Sequence, residues 1–197
     1  MRYDERTRWP CVMERALGPE YRVLEAGLCG RTTVFSDPQL PFCCGSELLE
    51  PMFRMCDPVD LFILMLGTND TKDFFSASAA TIANGMDQLV QELLMLLPNS
   101  LSAQAKLLVV SPIHITPSAN GSYFYDCCAS AAEKKTRALA PLYRQLAERH
   151  RCFFFDAAVH AQPGSTDGMH LEADGHRALG LALADAVQNI FSEDKSI

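Results

Sequence analysis

The run DLFILML at residues 60–66 is apolar at almost every position. It is far shorter than the ~20 residues needed to span a bilayer, and a helical period follows it. A strand of this kind needs cover on both faces, which is the situation of a parallel strand between layers of helix. That requirement constrains the fold more than any other feature of the chain.

The rest of the chain agrees. After the strand, Ile82, Met86, Leu89, Val90, Leu93 and Leu97 recur at helical spacing, with Asn84, Asp87, Gln88 and Gln91 on the other side. Further strands are expected at Tyr21–Glu25, at Lys106–Ser111 before Pro112, and at Cys152–Phe155. Helices are expected at 9–17, stopped by Gly18-Pro19, then at 46–55, at 129–149, and from the loop 157–170 to about 191. The last of these turns Leu179, Leu183, Val187 and Ile190 inward. Residues 28–45 and 112–128 read as long loops. This alternation predicts a doubly wound α/β fold with a parallel sheet. With 197 residues and no repeat, linker or low-complexity tract, a single domain over 1–197 is expected.

Composition narrows the function. Seventeen Lys plus Arg against 24 Asp plus Glu give a net charge of −7, with no basic stripe, which argues against nucleic acid as a partner. The opening MRYDERTRWP has no hydrophobic signal core, and no apolar run is long enough for a membrane span, so a cytoplasmic location is expected. The eight cysteines (11, 29, 43, 44, 56, 127, 128 and 152) form no C-x-x-C pair. Reduced thiols are the expectation, with a vicinal redox switch at Cys43–Cys44 or Cys127–Cys128 as the minor reading. The five histidines are scattered, so neither a metal nor a cofactor is expected. His160 is read as a solvated loop residue and His176 as a surface residue of the last helix.

In open parallel sheets, ligands bind beyond the carboxyl ends of strands. The segments there are Gly27–Thr33, Gly67-Thr68-Asn69-Asp70, Ser111–His114 and Thr166–His170. Glycine lets backbone N–H groups approach a ligand, and Asn offers a neutral donor to developing negative charge. Asp167 lies three residues before His170, close enough to accept from Nδ1–H and leave Nε2 as a base. Taken alone, that pair is equally a capping Asp beside an exposed His.

A strand ending in G-T-N-D together with a late D-x-x-H resembles the SGNH (GDSL-type) family of esterases, thioesterases and lipases. LMLGTNDTK at 64–72 is similar to the family's third block, DGMHL at 167–171 to its fifth and EAGLCGRTT at 25–33 to its second. The likeness runs along nearly the whole chain, including VVSP at 109–112, and is nearest to the small arylesterases and acyltransferases. It implies a three-layer α/β/α, flavodoxin-like fold. It also implies hydrolysis of small acyl or aryl esters, with acyl transfer to alcohols as a further outcome. His170 would be the general base, Asp167 its orienting partner, and Asn69 and Gly30 the oxyanion donors.

The family's first block, a G-D-S closing the first strand, has no counterpart in these 197 residues. The expectation is therefore an N-terminally incomplete domain lacking its first strand and its nucleophilic serine. Among substitutes, Ser111, Ser46 and Cys29 were weighed, and Cys29 is expected to line the pocket rather than attack. Absence of a central strand removes about four buried side chains at ~1.5–3 kcal/mol each, so poor stability is expected. Two other readings remain: a catalytically dead SGNH-like binding module, and a nucleotide binder, disfavoured because no phosphate-cradling glycine motif occurs. Phe35, Phe42, Tyr123, Phe124 and Tyr125 in the long loops suit an apolar acyl pocket or, equally, a homo-oligomer contact.

Overall fold

A computed structural model describes residues 3–116 and 131–192. Helix α1 is Trp9–Leu17, α2 Gly45–Cys56, α3 Ala79–Leu96, α4 Ala131–His150 and α5 Ala173–Ser192. Strand β1 is Leu61–Leu64, β2 Lys106–Ser111 and β3 Phe153–Asp156. They form one parallel sheet in the order β1-β2-β3, with Leu61 opposite Lys106 and Leu108 opposite Phe153. Helices cover both faces, which gives the three-layer α/β/α architecture that the sequence predicts.

The centre of the sheet alternates with period two. Leu107 and Val109 of β2 face Ile82, Met86, Val90 and Leu93 of α3 and Leu139 and Tyr143 of α4. Leu108 and Val110 face Met13 and Leu17 of α1 and Leu179, Leu183 and Val187 of α5. All the inward residues read from the helical periods of α3 and α5 are buried. Ser78 caps α3, its hydroxyl accepting from Thr81 N at 3.1 Å. Gly180 brings α1 against α5, since a Cβ there would lie 2.7 Å from both Trp9 O and Val12 Cβ.

One expected element differs. Tyr21–Glu25 is extended but belongs to no strand. Tyr21 and Val23 still turn toward the α1/α5 layer while Arg22 and Leu24 face out, as a strand would place them. A strand also needs a ladder partner, and among the described residues none lies between this segment and β1. Its anchors are side chains instead: Val23 N donates to Glu14 Oε2 at 2.7 Å, and Arg8 pairs with Glu25 at 2.6 Å.

Strand β1 shows the same shortage. Its four side chains are all half-buried, whereas those of β2 from Leu107 onward are fully buried. β1 pairs on one side only among the described residues, and an apolar edge is poorly protected. The 197-residue chain is accordingly expected to unfold in urea at a midpoint low for its size. A sharp transition at an ordinary midpoint would contradict that expectation.

Candidate active site

The loop before α5 is built around one carboxylate. Asp167 Oδ1 accepts from the backbone N–H groups of Met169 and His170, each at 2.9 Å. Its Oδ2 lies 2.7 Å from His170 Nδ1. Gly168, at φ +69°, permits the tight turn, and its carbonyl accepts from Thr116 N at 2.8 Å, joining this loop to the segment after β2. Burial pushes the Asp167 carboxyl up, but the three donors around it outweigh this and hold it below the usual range. The carboxylate therefore stays charged and orients the ring, with Nε2 on the opposite edge.

The turn after β1 depends on close packing. Gly67 has φ +113°, and a Cβ there would meet Tyr143 Oη at 2.5 Å. That hydroxyl donates to Leu66 O at 3.1 Å, so α4 holds the end of β1 in place. A 3-10 turn, Asn69–Thr71, follows. Asn69 Nδ2 donates to Arg31 O at 3.1 Å, which places the amide one residue from Gly30. Gly30 is buried at φ +79°, within a turn where Arg31 N donates to Leu28 O at 3.2 Å.

Asp70 ties these two turns together, a role that sequence reasoning did not assign. It is fully buried, and its Oδ1 accepts both the backbone N–H of Thr33, at 2.9 Å, and the Thr33 hydroxyl. Its Oδ2 has no partner among the described residues. Burial raises the carboxyl above its ordinary value, against the two Thr33 bonds that favour the charged form. A second brace, Lys72 Nζ to the buried Asp37 at 2.7 Å, joins the same segments. The available sequence signal was an Asp directly after Asn69, but a carboxylate after a turn is ordinarily read as a solvated one.

Gly30, Asn69, Asp167 and His170 all line one cleft of about 1700 Å³, bounded by β1, α1, α2, α5 and the segment 20–31. Cys29 is on its wall, whereas Ser111 and Ser46 are engaged elsewhere. The Ser111 hydroxyl donates to Asp156 at 2.9 Å and that of Ser46 to Glu92 at 2.9 Å. His114 lies against Arg137 at 3.1 Å, and burial followed by that cation lowers its pKa. His160 stacks on Phe155. His176 is half-buried rather than on the surface. Its Nδ1 accepts from Trp9 N at 3.3 Å, its ring meets Tyr3 edge-on, and burial lowers its pKa. Phe35 packs against Phe75 and Phe42 is exposed, so neither joins the cleft. Tyr123, Phe124, Tyr125, Cys127 and Cys128 lie outside the described residues. The six described cysteines are thiols. Among the described residues no helix is long and apolar enough to cross a membrane.

Residues 2–178 match the GDSL-like lipase/acylhydrolase family. The chain belongs to that family. It is an ester hydrolase by family. Among solved structures it is similar to the native aryl esterase of M. smegmatis, at 35% identity over 96% of this chain and 88% of that one, with a TM-score of 0.90. A carbohydrate acetylesterase from Sinorhizobium meliloti is similar to the same degree, also at 35% identity, 96% and 88% coverage and a TM-score of 0.90. A lipase/acylhydrolase from Enterococcus faecalis shares the fold at 17% identity, covering 90% of this chain and 83% of that one, with a TM-score of 0.63. No curated protein matches the chain.

Two measurements examine this GDSL-family site. Asp70→Ala strips both Thr33 donors of their acceptor and is expected to cost about 1–3 kcal/mol in urea unfolding, with Asp70→Asn costing less. Asp167 has a depressed pKa in the folded chain, so its stabilisation is full above the unfolded value of ~3.9 and is lost as pH falls through the lower folded value. The stability gap between the natural chain and Asp167→Asn should therefore be widest near neutral pH and close in acid. A gap independent of pH would show that the carboxylate charge plays no part.

Proposed function

We propose that this chain hydrolyses small acyl or aryl esters, with His170 as general base, Asp167 as its orienting partner, and Asn69 and Gly30 as oxyanion donors. One observation carries the reading: a carboxylate-held imidazole, 2.7 Å from Asp167, lines the same cleft as the Asn69 amide and the Gly30 turn. The likeness to an aryl esterase and a carbohydrate acetylesterase supports small esters as the substrate class.

The chemistry follows from these parts. His170 Nε2 takes a proton from an attacking hydroxyl, whose oxygen adds to the ester carbonyl. The negative charge then forming on the carbonyl oxygen is met by Asn69 Nδ2–H and Gly30 N–H. As the tetrahedral species collapses, the C–O bond to the alcohol breaks and the imidazolium returns its proton to the leaving oxygen. Asp167, charged throughout, favours the imidazolium in between. No serine lines the cleft, so in the chain alone the attacking oxygen is that of water and turnover is slow.

The test is p-nitrophenyl acetate hydrolysis by the 197-residue chain. His170→Ala and Asn69→Ala should each lower kcat/KM by about 10–100-fold, while affinity for a non-hydrolysable analogue stays within about twofold. Rates unchanged in both variants would remove the assignment. Loss of analogue binding in step with rate would favour a binding module instead.

A further inference from the structure

The cleft is larger and differently shaped than a small ester requires. At about 1700 Å³ it exceeds the ~300–1000 Å³ usual for small-molecule sites. One wall is the open edge of β1, continued by Met65 and Leu66, and the facing wall is the extended segment 20–25. From Leu61 to Gly67 the open edge runs about 20 Å at ~3.3 Å per residue. Trp9, Met13, Leu17, Leu179 and Val187 close it on one layer, and Leu49, Met52, Phe53 and Leu93 on the other. The space is thus a slot in the plane of the sheet, roofed on both faces by apolar helix surface.

Three further observations bear on what fills it. Phe62 and Leu64 of β1 pack toward the α3/α4 layer and Leu61 and Ile63 toward the α1/α5 layer, yet all remain half-buried. A neighbour with the same two-sided alternation would complete both contacts. On the facing wall, Arg31 Nε is buried without a partner among the described residues, a donor suited to a carboxylate or carbonyl. At the carboxyl end of β1, Asn69, Gly30, Asp167 and His170 line a cleft that contains no serine.

We propose that the slot accepts one extended apolar peptide segment of about six residues, which pairs in parallel with β1 and delivers a serine hydroxyl to His170. The occupant is a polypeptide strand because the slot offers what a strand needs: a row of backbone donors and acceptors, and apolar cover above and below. Parallel pairing matches the other two ladders and brings the carboxyl end of the segment to the base. Once docked, the serine adds through Oγ to the ester carbonyl and its proton goes to His170 Nε2. The alcohol leaves with that proton, and water then cleaves the acyl-serine by the same proton route in reverse. This delivery step rests on the ester-hydrolase reading above, whereas the docking does not.

The experiment uses the full 197-residue chain and a synthetic fluorescent peptide. Its sequence is two lysines for solubility, six alternating valines and isoleucines, then glycine to free the turn, aspartate to offer Arg31 a carboxylate, and serine. Three readouts are followed: anisotropy, amide exchange of residues 61–64, and p-nitrophenyl acetate hydrolysis. The expected result is saturable binding, at least about tenfold slower exchange confined to the β1 edge, and about 100-fold faster hydrolysis. A serine-to-alanine peptide should bind and protect equally but leave the rate unchanged, and a reversed-order peptide should give no acceleration. Absence of binding, or protection elsewhere in the chain, would overturn the docking even if slow His170-dependent hydrolysis persists. Binding with β1 protection but no gain in hydrolysis from the serine peptide would leave the docking standing and overturn the delivery of the nucleophile. If the chain alone also showed no His170-dependent hydrolysis, the ester-hydrolase reading would fall with it.

Discussion

β2 is apolar on both faces, and the other elements take their positions from that fact. Leu107 and Val109 need one helical layer, Leu108 and Val110 another. A parallel strand in such surroundings must satisfy its backbone through neighbours on both edges, and β1 and β3 provide that. The connections between parallel strands have to cross a face, so α3 and α4 are at once the links in the chain and the cover over the core. Every carboxyl end then points the same way, and the polar turns that follow the strands gather at one rim.

That rim holds a site whose parts are set by different forces. The Asp167–His170 pair is local: one carboxylate organises four residues through two backbone bonds and one ring bond. The Asn69–Gly30 pair is not local. It depends on Gly67 lying under Tyr143, and on buried Asp70 binding Thr33 across a gap of 37 residues. A buried carboxylate with one oxygen unpartnered carries a desolvation cost, and its two bonds to Thr33 are what the fold receives for it. The base is therefore set by a short loop, whereas the donors are set by the core.

Much of this was legible in the residues because the relevant signals have short periods. The spacing of Ile82, Met86, Leu89, Val90 and Leu93 predicted a buried helical stripe, and the structure buries all five. The unbroken run at 60–66 called for cover on two sides, and it has helices on both. Tyr21–Glu25 shows where such reasoning stops. Its alternation is strand-like and its side chains point as they would in a strand, but a ladder is a property of two segments and none of the described residues supplies the second. His176 was read as solvated because its helix period alone says nothing of α1, whose first backbone N–H it accepts. Asp70 was passed over for the same reason, since a carboxylate's burial depends on what packs over it.

The sequence by itself determined the element types, the parallel α/β class and the family to which the chain belongs. Helical and strand periods and the strings GTND and DGMH are local, and a local signal survives in one dimension. Tertiary structure decided which turns face one another, which carboxylate is solvated and which is sealed in the core, and that β1 borders an open slot leading to His170. Those outcomes depend on distances between residues far apart in the chain, and through them on burial, dielectric surroundings and the pairing of backbone edges.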